Sequence, residues 1–124
     1  MTLILQLEEK GKWEEALKLI KQEILKDNSL DSEKYHILGR LYQRLGKFIS
    51  SRKAYKKGLE IEQYNPRTLN NLILLELNTF NIEKANYWLK IALELQSLTL
   101  DEKKLLYGSA CELKLSELKH IEAL

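Results

Sequence analysis

The chain has 124 residues, of which 44% are hydrophobic and 31% charged, with five glycines and a single proline. This composition excludes a disordered chain and is typical of one helix-rich globular domain, since domains cluster at about 100 to 150 residues. Twenty basic and eighteen acidic side chains give a formal net charge of +2, which is too small to indicate a nucleic-acid partner.

The cysteine and histidine content argues against disulfides and metal sites. Cys111 is the single cysteine, and the two histidines, His36 and His120, lie far apart in the sequence. The apolar start of the chain ends at Leu7, and no run approaches the roughly 18 apolar residues that span a bilayer. We therefore expect a cytoplasmic protein with no signal peptide, no membrane partner, no metal and no cofactor.

No strand-like alternation of apolar and polar residues competes with helix over any comparable length, and we predict an all-helical protein. In chain order, the predicted helices span about residues 2–10, 12–26, 33–45, 48–63, 67–79, 82–96, 100–114 and 116–123.

Several of the predicted helix ends carry capping residues. Gly46 fits the left-handed C-cap that ends the third helix. Asn65 followed by Pro66 predicts an N-cap and a first-turn proline for the fifth helix. Asn81 is predicted to cap the sixth helix, and Thr99 begins a capping box before the seventh.

The sequence also repeats with a period close to 34 residues. The segment 11–16 aligns with 46–51 at a spacing of 35, matching glycine with glycine and aromatic with aromatic. A third copy follows at a spacing of 34, with Phe80 in the place of Gly46. A period of this length predicts helix hairpins that stack on one another.

The second copy carries the fullest pattern. Residues 35–42 show an aromatic residue, two positions, Leu-Gly, two positions and Tyr, which resembles the first-helix signature of tetratricopeptide repeats. Ser51 and Tyr55 resemble the small and aromatic pair of the second helix. We expect the small residues Gly39 and Ser51 to let the two helices approach closely, because large residues would hold them apart. Beside that contact we expect three aromatic side chains, those of Tyr35, Tyr42 and Tyr55.

The resemblance implies an all-α superhelix, or solenoid, of stacked antiparallel helix hairpins, with about three repeats and a terminal partial or capping unit. It predicts one domain over residues 1–124, with units at about 1–31, 32–65, 66–99 and 100–124. The tail fits either an incomplete fourth unit or a solvating cap. The first unit lacks the start of its first helix, so a fragment of a longer array and a domain with a shortened first helix both stay open.

The sequence offers no catalytic set. Ser50 and Ser51 lie outside any GxSxG elbow, and the glycines occur singly, which disfavours a phosphate-binding loop. Adjacent carboxylates such as Glu8 and Glu9 point in different directions on a helix and are interpreted as a solvated face. Trp13 takes the aromatic packing position of the repeat, which favours the core over ligand stacking. We therefore predict that the protein is not an enzyme.

In the tetratricopeptide family the first helices of successive units line a concave groove. Carried over by register, this resemblance predicts a partner-binding groove of His36, Arg40, Gln43, Arg44, Arg67, Asn70, Asn71, Leu74 and Asn78. Arg40 and Arg44 lie one helical turn apart and are expected to face the amides of Asn70, Asn71 and Asn78. Such a set suits peptide backbone or an acidic side chain, and an extended segment with carboxylates is the preferred ligand. Each position taken singly fits an ordinary solvated helix position equally well.

The leading hypothesis is a non-enzymatic adaptor that binds a peptide or protein segment in this groove. The alternative is a structural role, as a homo-oligomer or as part of a larger repeat array. It is motivated by apolar residues near the two ends of the chain: Leu3, Ile4, Leu7, Leu118, Ile121 and Leu124. RNA binding would need a more basic groove than three arginines provide.

Overall fold

The computed structural model describes residues 2–27, 31–95 and 108. Over this part of the chain the backbone is helical, without a β-strand. The six helices are α1 (Thr2–Glu9), α2 (Trp13–Asp27), α3 (Ser32–Arg44), α4 (Phe48–Ile61), α5 (Pro66–Asn78) and α6 (Ile82–Leu93). They agree with the first six predicted helices to within a few residues at each end. The predicted helices at 100–114 and 116–123 lie outside the described residues.

The helices pack as hairpins. α1 packs on α2, α3 on α4 and α5 on α6, and α2 also packs on α3. This arrangement confirms the predicted fold class, an all-α fold of helix hairpins. The chain divides into two compact units, 1–63 and 64–124, which are described separately below. The single domain and its repeat boundaries stay predictions.

The three turns inside the hairpins share one backbone geometry. The residue at the turn has a positive φ in each case: 75° at Gly11, 75° at Gly46 and 61° at Phe80. The Gly46 N–H donates to the Gln43 carbonyl at 3.1 Å, and the next N–H reaches back to the carbonyl of residue 42 at 2.9 Å. The equivalent two bonds close the other two turns. This is the Schellman arrangement, so the predicted left-handed cap at Gly46 is confirmed.

The N-caps predicted at Asn65 and Asn81 differ in whether the side chain makes a capping hydrogen bond. The Asn65 side chain accepts hydrogen bonds from the Arg67 N–H at 3.0 Å and the Thr68 N–H at 3.4 Å, which confirms the predicted cap before Pro66. Asn81 is the N-cap residue of α6, as predicted, but within the described residues its side chain makes no capping bond to this helix. The Asn81 amide donates instead to the Thr79 hydroxyl at 3.2 Å. The capping box at Thr99 lies outside the described residues.

The α3–α4 contact is as close as the small residues predict. The Ser51 hydroxyl donates to the Gly39 carbonyl at 2.7 Å, a bond that directly joins the two helices. A Cβ atom placed on Gly39 would lie 2.5 Å from the ring of Tyr55, which is fully buried. The Tyr55 hydroxyl donates to the Gln43 side chain at 2.8 Å, so the ring is fixed at both ends.

Each unit has its own apolar core. In the first unit one cluster of buried residues comes from α1, α2 and α3 and consists of Ile4, Ala16, Leu17, Ile20, Ile37 and Leu41. Trp13 and Tyr42 pack against this cluster half-buried, which confirms the packing role predicted for Trp13. In the second unit α5 and α6 bury Leu69, Leu72, Ile73, Leu75, Ala85, Leu89 and Ala92. Burial of one large aliphatic side chain contributes roughly 1.5 to 3 kcal/mol.

Candidate functional site

The candidate site in the first unit is a cluster of charged side chains between α1 and α3. Glu8 lies in the last turn of α1, and Arg40 and Arg44 lie one turn apart on α3. Arg40 Nη2 donates to Glu8 Oε2 at 2.8 Å, while Arg40 Nε lies 2.7 Å from Glu8 Oε1. Within the described residues Nε has no hydrogen-bond partner despite this short distance, so Arg40 holds the carboxylate through one hydrogen bond and a close ion pair. We call Glu8, Arg40 and Arg44 the charged cluster.

Arg44 is held less tightly than Arg40. Its Nε lies 3.5 Å from Glu8 Oε1, and its side chain is 49% exposed, against 24% for Arg40 and 10% for Glu8. The Arg44 guanidinium also lies 5.7 Å above the ring of Trp13, in cation–π contact. This contact favours positions of the guanidinium over the indole ring.

The burial of Glu8 was missed by the sequence interpretation, which placed it on a solvated face. The error arises because the bond between Glu8 and Arg40 joins residues 32 apart in the chain, beyond the reach of local patterns. The repeat could have predicted that Glu8 lies beside the groove residues. At the spacing of 35, Glu8 takes the place of Gln43, one of the predicted groove positions.

The other two predicted residues of the first unit serve the α3–α4 packing. His36 is 3% exposed, and its ring centroid lies 5.9 Å from that of Tyr55. Gln43 accepts the Tyr55 hydroxyl bond described above. These contacts orient both side chains, and a role for either in partner binding stays a prediction.

In the second unit, the predicted residues all lie on α5. Arg67 and Asn78 are exposed, Asn71 and Leu74 are half-buried, and Asn70 is 6% exposed. The helix thus presents polar side chains at several depths, and their contact with a partner stays a prediction.

A shallow depression of about 350 Å³ lies at the start of α2 and is lined by Gly11, Lys12, Trp13, Glu14, Glu15 and Leu45. Two carboxylates and one ammonium group face it, so its lining does not favour an anion. The buried Nε1 of Trp13 has no hydrogen-bond partner within the described residues. In the same part of the chain, no group of three or more His, Cys, Asp and Glu side chains is placed to hold a metal ion. None of its helices is long and apolar enough to cross a membrane.

Comparison with solved structures identifies the class of fold. The type III secretion chaperone SycD of Yersinia enterocolitica, in complex with a peptide of the translocator YopD, superposes with a TM-score of 0.84 at 24% identity. That match covers 96% of this chain and 90% of SycD. PcrH of Pseudomonas aeruginosa, in complex with the chaperone-binding region of PopD, superposes with a TM-score of 0.83 at 19% identity. This match covers 96% of this chain and 89% of PcrH.

A third match is the second tetratricopeptide domain of human RPAP3, in complex with the HSP70 peptide SGPTIEEVD. It gives a TM-score of 0.72 at 12% identity and covers 88% of this chain and 90% of that domain. No family model and no curated relative matches the sequence. At these identities the likeness establishes the fold alone, which is tetratricopeptide-like.

Proposed function

We propose that this protein is a non-enzymatic module that binds an extended segment of another protein in the groove lined by the first helices of its repeats. The observation that carries the proposal is the fold, which this chain shares over 96% of its length with SycD bound to a translocator peptide. PcrH and the RPAP3 domain were also solved with bound polypeptide segments. A preformed helical frame binds such a segment without the entropic cost of ordering itself.

The proposed groove residues are those predicted from the repeat. The exposed and half-buried members line the surface on which the segment lies, and these are Arg40, Gln43, Arg44, Arg67, Asn71, Leu74 and Asn78. The two buried members, His36 and Asn70, support the surface from beneath. Amide side chains such as Asn71 bind peptide backbone through paired donors and acceptors, as an extended ligand requires. With its lone cysteine, the chain is suited to the reducing cytoplasm, where we place this function.

The experiment that tests the proposal is site-specific photo-crosslinking in the source cell. A photoreactive amino acid at Asn71, on the proposed groove face, is expected to capture a defined partner. The control position is Lys53, an exposed residue of the second helix of a hairpin, α4. A partner captured equally from both positions, or from neither, overturns groove binding. Mass spectrometry of the crosslinked peptide then identifies the bound segment.

A structural role by self-association is the second candidate, and one observation favours it. Leu3 is 57% exposed and Leu5 is 43% exposed on α1, so this short helix presents apolar surface to solvent. Sedimentation of the purified chain separates the two candidates. A mass that rises with concentration, and that returns to the monomer in the Leu3→Ser variant, supports self-association. A monomer at every concentration excludes it.

A further inference from the structure

The two arginines of the charged cluster have different surroundings, and this difference assigns them different roles. Arg40 meets both oxygens of Glu8, at 2.7 and 2.8 Å, and three quarters of its side chain is buried. Arg44 meets one oxygen at 3.5 Å and leaves half of its side chain in solvent. Arg40 is therefore committed to fastening α1 onto α3, whereas Arg44 is not.

The charge balance points in the same direction. Two guanidinium groups share one carboxylate, so the charged cluster keeps one positive charge that Glu8 does not neutralise. Of the two arginines, Arg44 is the more exposed and is the one that a second anion reaches from solvent, where the attraction is favourable. The contact of Arg44 with Glu8 runs through Nε, so its two Nη groups take no part in it.

The indole of Trp13 completes the arrangement. The Arg44 guanidinium lies 5.7 Å from the ring centroid, and Trp13 itself is packed against the core of the first unit. A long side chain normally loses conformational freedom when it binds a ligand, and arginine has much of it to lose. An arginine already stacked on an aromatic ring has lost part of this freedom before the ligand arrives.

We propose that Arg44, stacked on Trp13, is the residue that recognises a carboxylate of the bound segment, and that Arg40 and Glu8 form the structural pair beside it. This inference rests on the proposed function and names the chemistry of one of its contacts: an Asp or Glu side chain, or a terminal carboxylate. The depression at the start of α2 is not this site, because Glu14 and Glu15 line it and repel an anion.

The planar fork of arginine accounts for the choice of residue. Arginine binds a carboxylate through two parallel N–H donors and stacks on an indole, whereas lysine offers a hydrated point charge on a flexible stem. Arg44→Lys therefore keeps the charge and loses most of the recognition. Glu8→Gln acts in the opposite direction, since it removes the one carboxylate of the charged cluster and leaves the amide oxygen to accept from Arg40.

The test uses the full chain and a pair of synthetic probes. The acidic probe is a short peptide of alternating glutamate and alanine with both ends blocked, and the neutral probe replaces each glutamate by glutamine. Binding is followed by NMR through the indole N–H of Trp13 and the Nε–H of Arg44. We expect the acidic probe to shift both resonances and to bind Arg44→Gln about five to ten times more weakly than the wild type.

The matched control is Lys53→Gln, which removes the same charge from an exposed site on α4. We expect it to leave the affinity for the acidic probe within about twofold, since Lys53 is an exposed charge on another helix and such charges are screened at physiological salt. Glu8→Gln is expected to strengthen binding of the acidic probe. The affinity of the neutral probe is expected to be the same for every variant. Arg44→Lys replaces Arg44→Gln if the latter fails to fold.

Three outcomes overturn the inference: no shift with the acidic probe, equal losses in Arg44→Gln and Lys53→Gln, or weaker binding after Glu8→Gln. Each of these leaves groove binding intact if the Asn71 crosslink still forms. Loss of that crosslink, by contrast, refutes the proposed function whatever the acidic probe does. The two failures are therefore distinguishable.

Discussion

Replacing two buried helical glycines by alanine is expected to change stability in opposite directions. Gly39 on α3 and Gly58 on α4 are both buried, and alanine is favoured over glycine in a helix by about 1 kcal/mol at either position. The surroundings differ. A Cβ on Gly58 would lie 3.6 Å from its nearest neighbours, which is an ordinary contact, so Gly58→Ala is expected to stabilise the protein by up to about 1 kcal/mol.

At Gly39 the same methyl group meets Tyr55. Two ring carbons would lie 2.5 Å away, well inside the roughly 3.5 to 4.0 Å at which carbon atoms attract. Tyr55 is fully buried and bonded to Gln43, so the ring has no room to move and the two helices must separate. Overpacking costs about 1 to 3 kcal/mol. With a clash this severe the upper value applies, and after the gain in helix propensity we expect a net loss of about 2 kcal/mol.

Urea denaturation followed by circular dichroism measures both variants. A double-mutant cycle isolates the cause, because Tyr55→Leu removes the ring that the new methyl group strikes. Gly39→Ala should then cost at least about 1 kcal/mol less in the Tyr55→Leu background than in the wild type. Equal stability of Gly39→Ala and Gly58→Ala, or the absence of coupling between positions 39 and 55, would refute the steric argument.

Other predictions concern the caps and turns. Asn65→Ala removes the acceptor for two N–H groups of α5 and should lower the free energy of unfolding by about 1 kcal/mol. Asn81→Ala removes no side-chain capping bond and should change the free energy of unfolding by less than about 0.5 kcal/mol. Phe80→Gly should raise it by roughly 0.5 to 1 kcal/mol, because Phe80 is strained at φ 61° while its side chain is 89% exposed. Phe80→Ala keeps the strain and serves as control; a gain equal to that of Phe80→Gly would show that the backbone angle is not the cause. Tyr55→Phe removes the bond to Gln43 and should cost about 1 kcal/mol in the same urea assay; an unchanged midpoint would mean that the bond contributes nothing.

Features that depend on neighbouring residues in the chain were predictable from the sequence. The left-handed turn at Gly46 and the cap at Asn65 are examples, because the conformation of each is decided within a few residues. The close contact of Gly39 with Ser51 and Tyr55 was also predictable, since the repeat pattern prescribes residue sizes across the hairpin. These signals were sufficient to identify the helices and their pairing.

The remaining features depend on competition between partners, which a pattern does not resolve. Asn81 has the right residue type for a cap, but its amide finds the Thr79 hydroxyl instead. Asp31 caps α3 by accepting from the Glu33 N–H at 3.0 Å, which places the helix start one residue before the predicted one. The candidate groove was predicted from register, whereas the pairing of Arg40 with Glu8 required the packing of α1 on its neighbours to be known.

The three hairpin turns bear on how far the amino-acid sequence can change while the fold is kept. Each turn closes with the same two backbone hydrogen bonds, although the central residue is glycine in two of them and phenylalanine in the third. The reversal of the chain is thus stabilised by hydrogen bonds between main-chain N–H and C=O groups, and every residue except proline supplies both groups. The two hydrogen bonds therefore require no particular side chain elsewhere in the turn. Two chains that share this turn can therefore have the same fold at low sequence identity, as this chain and SycD do at 24% identity and a TM-score of 0.84.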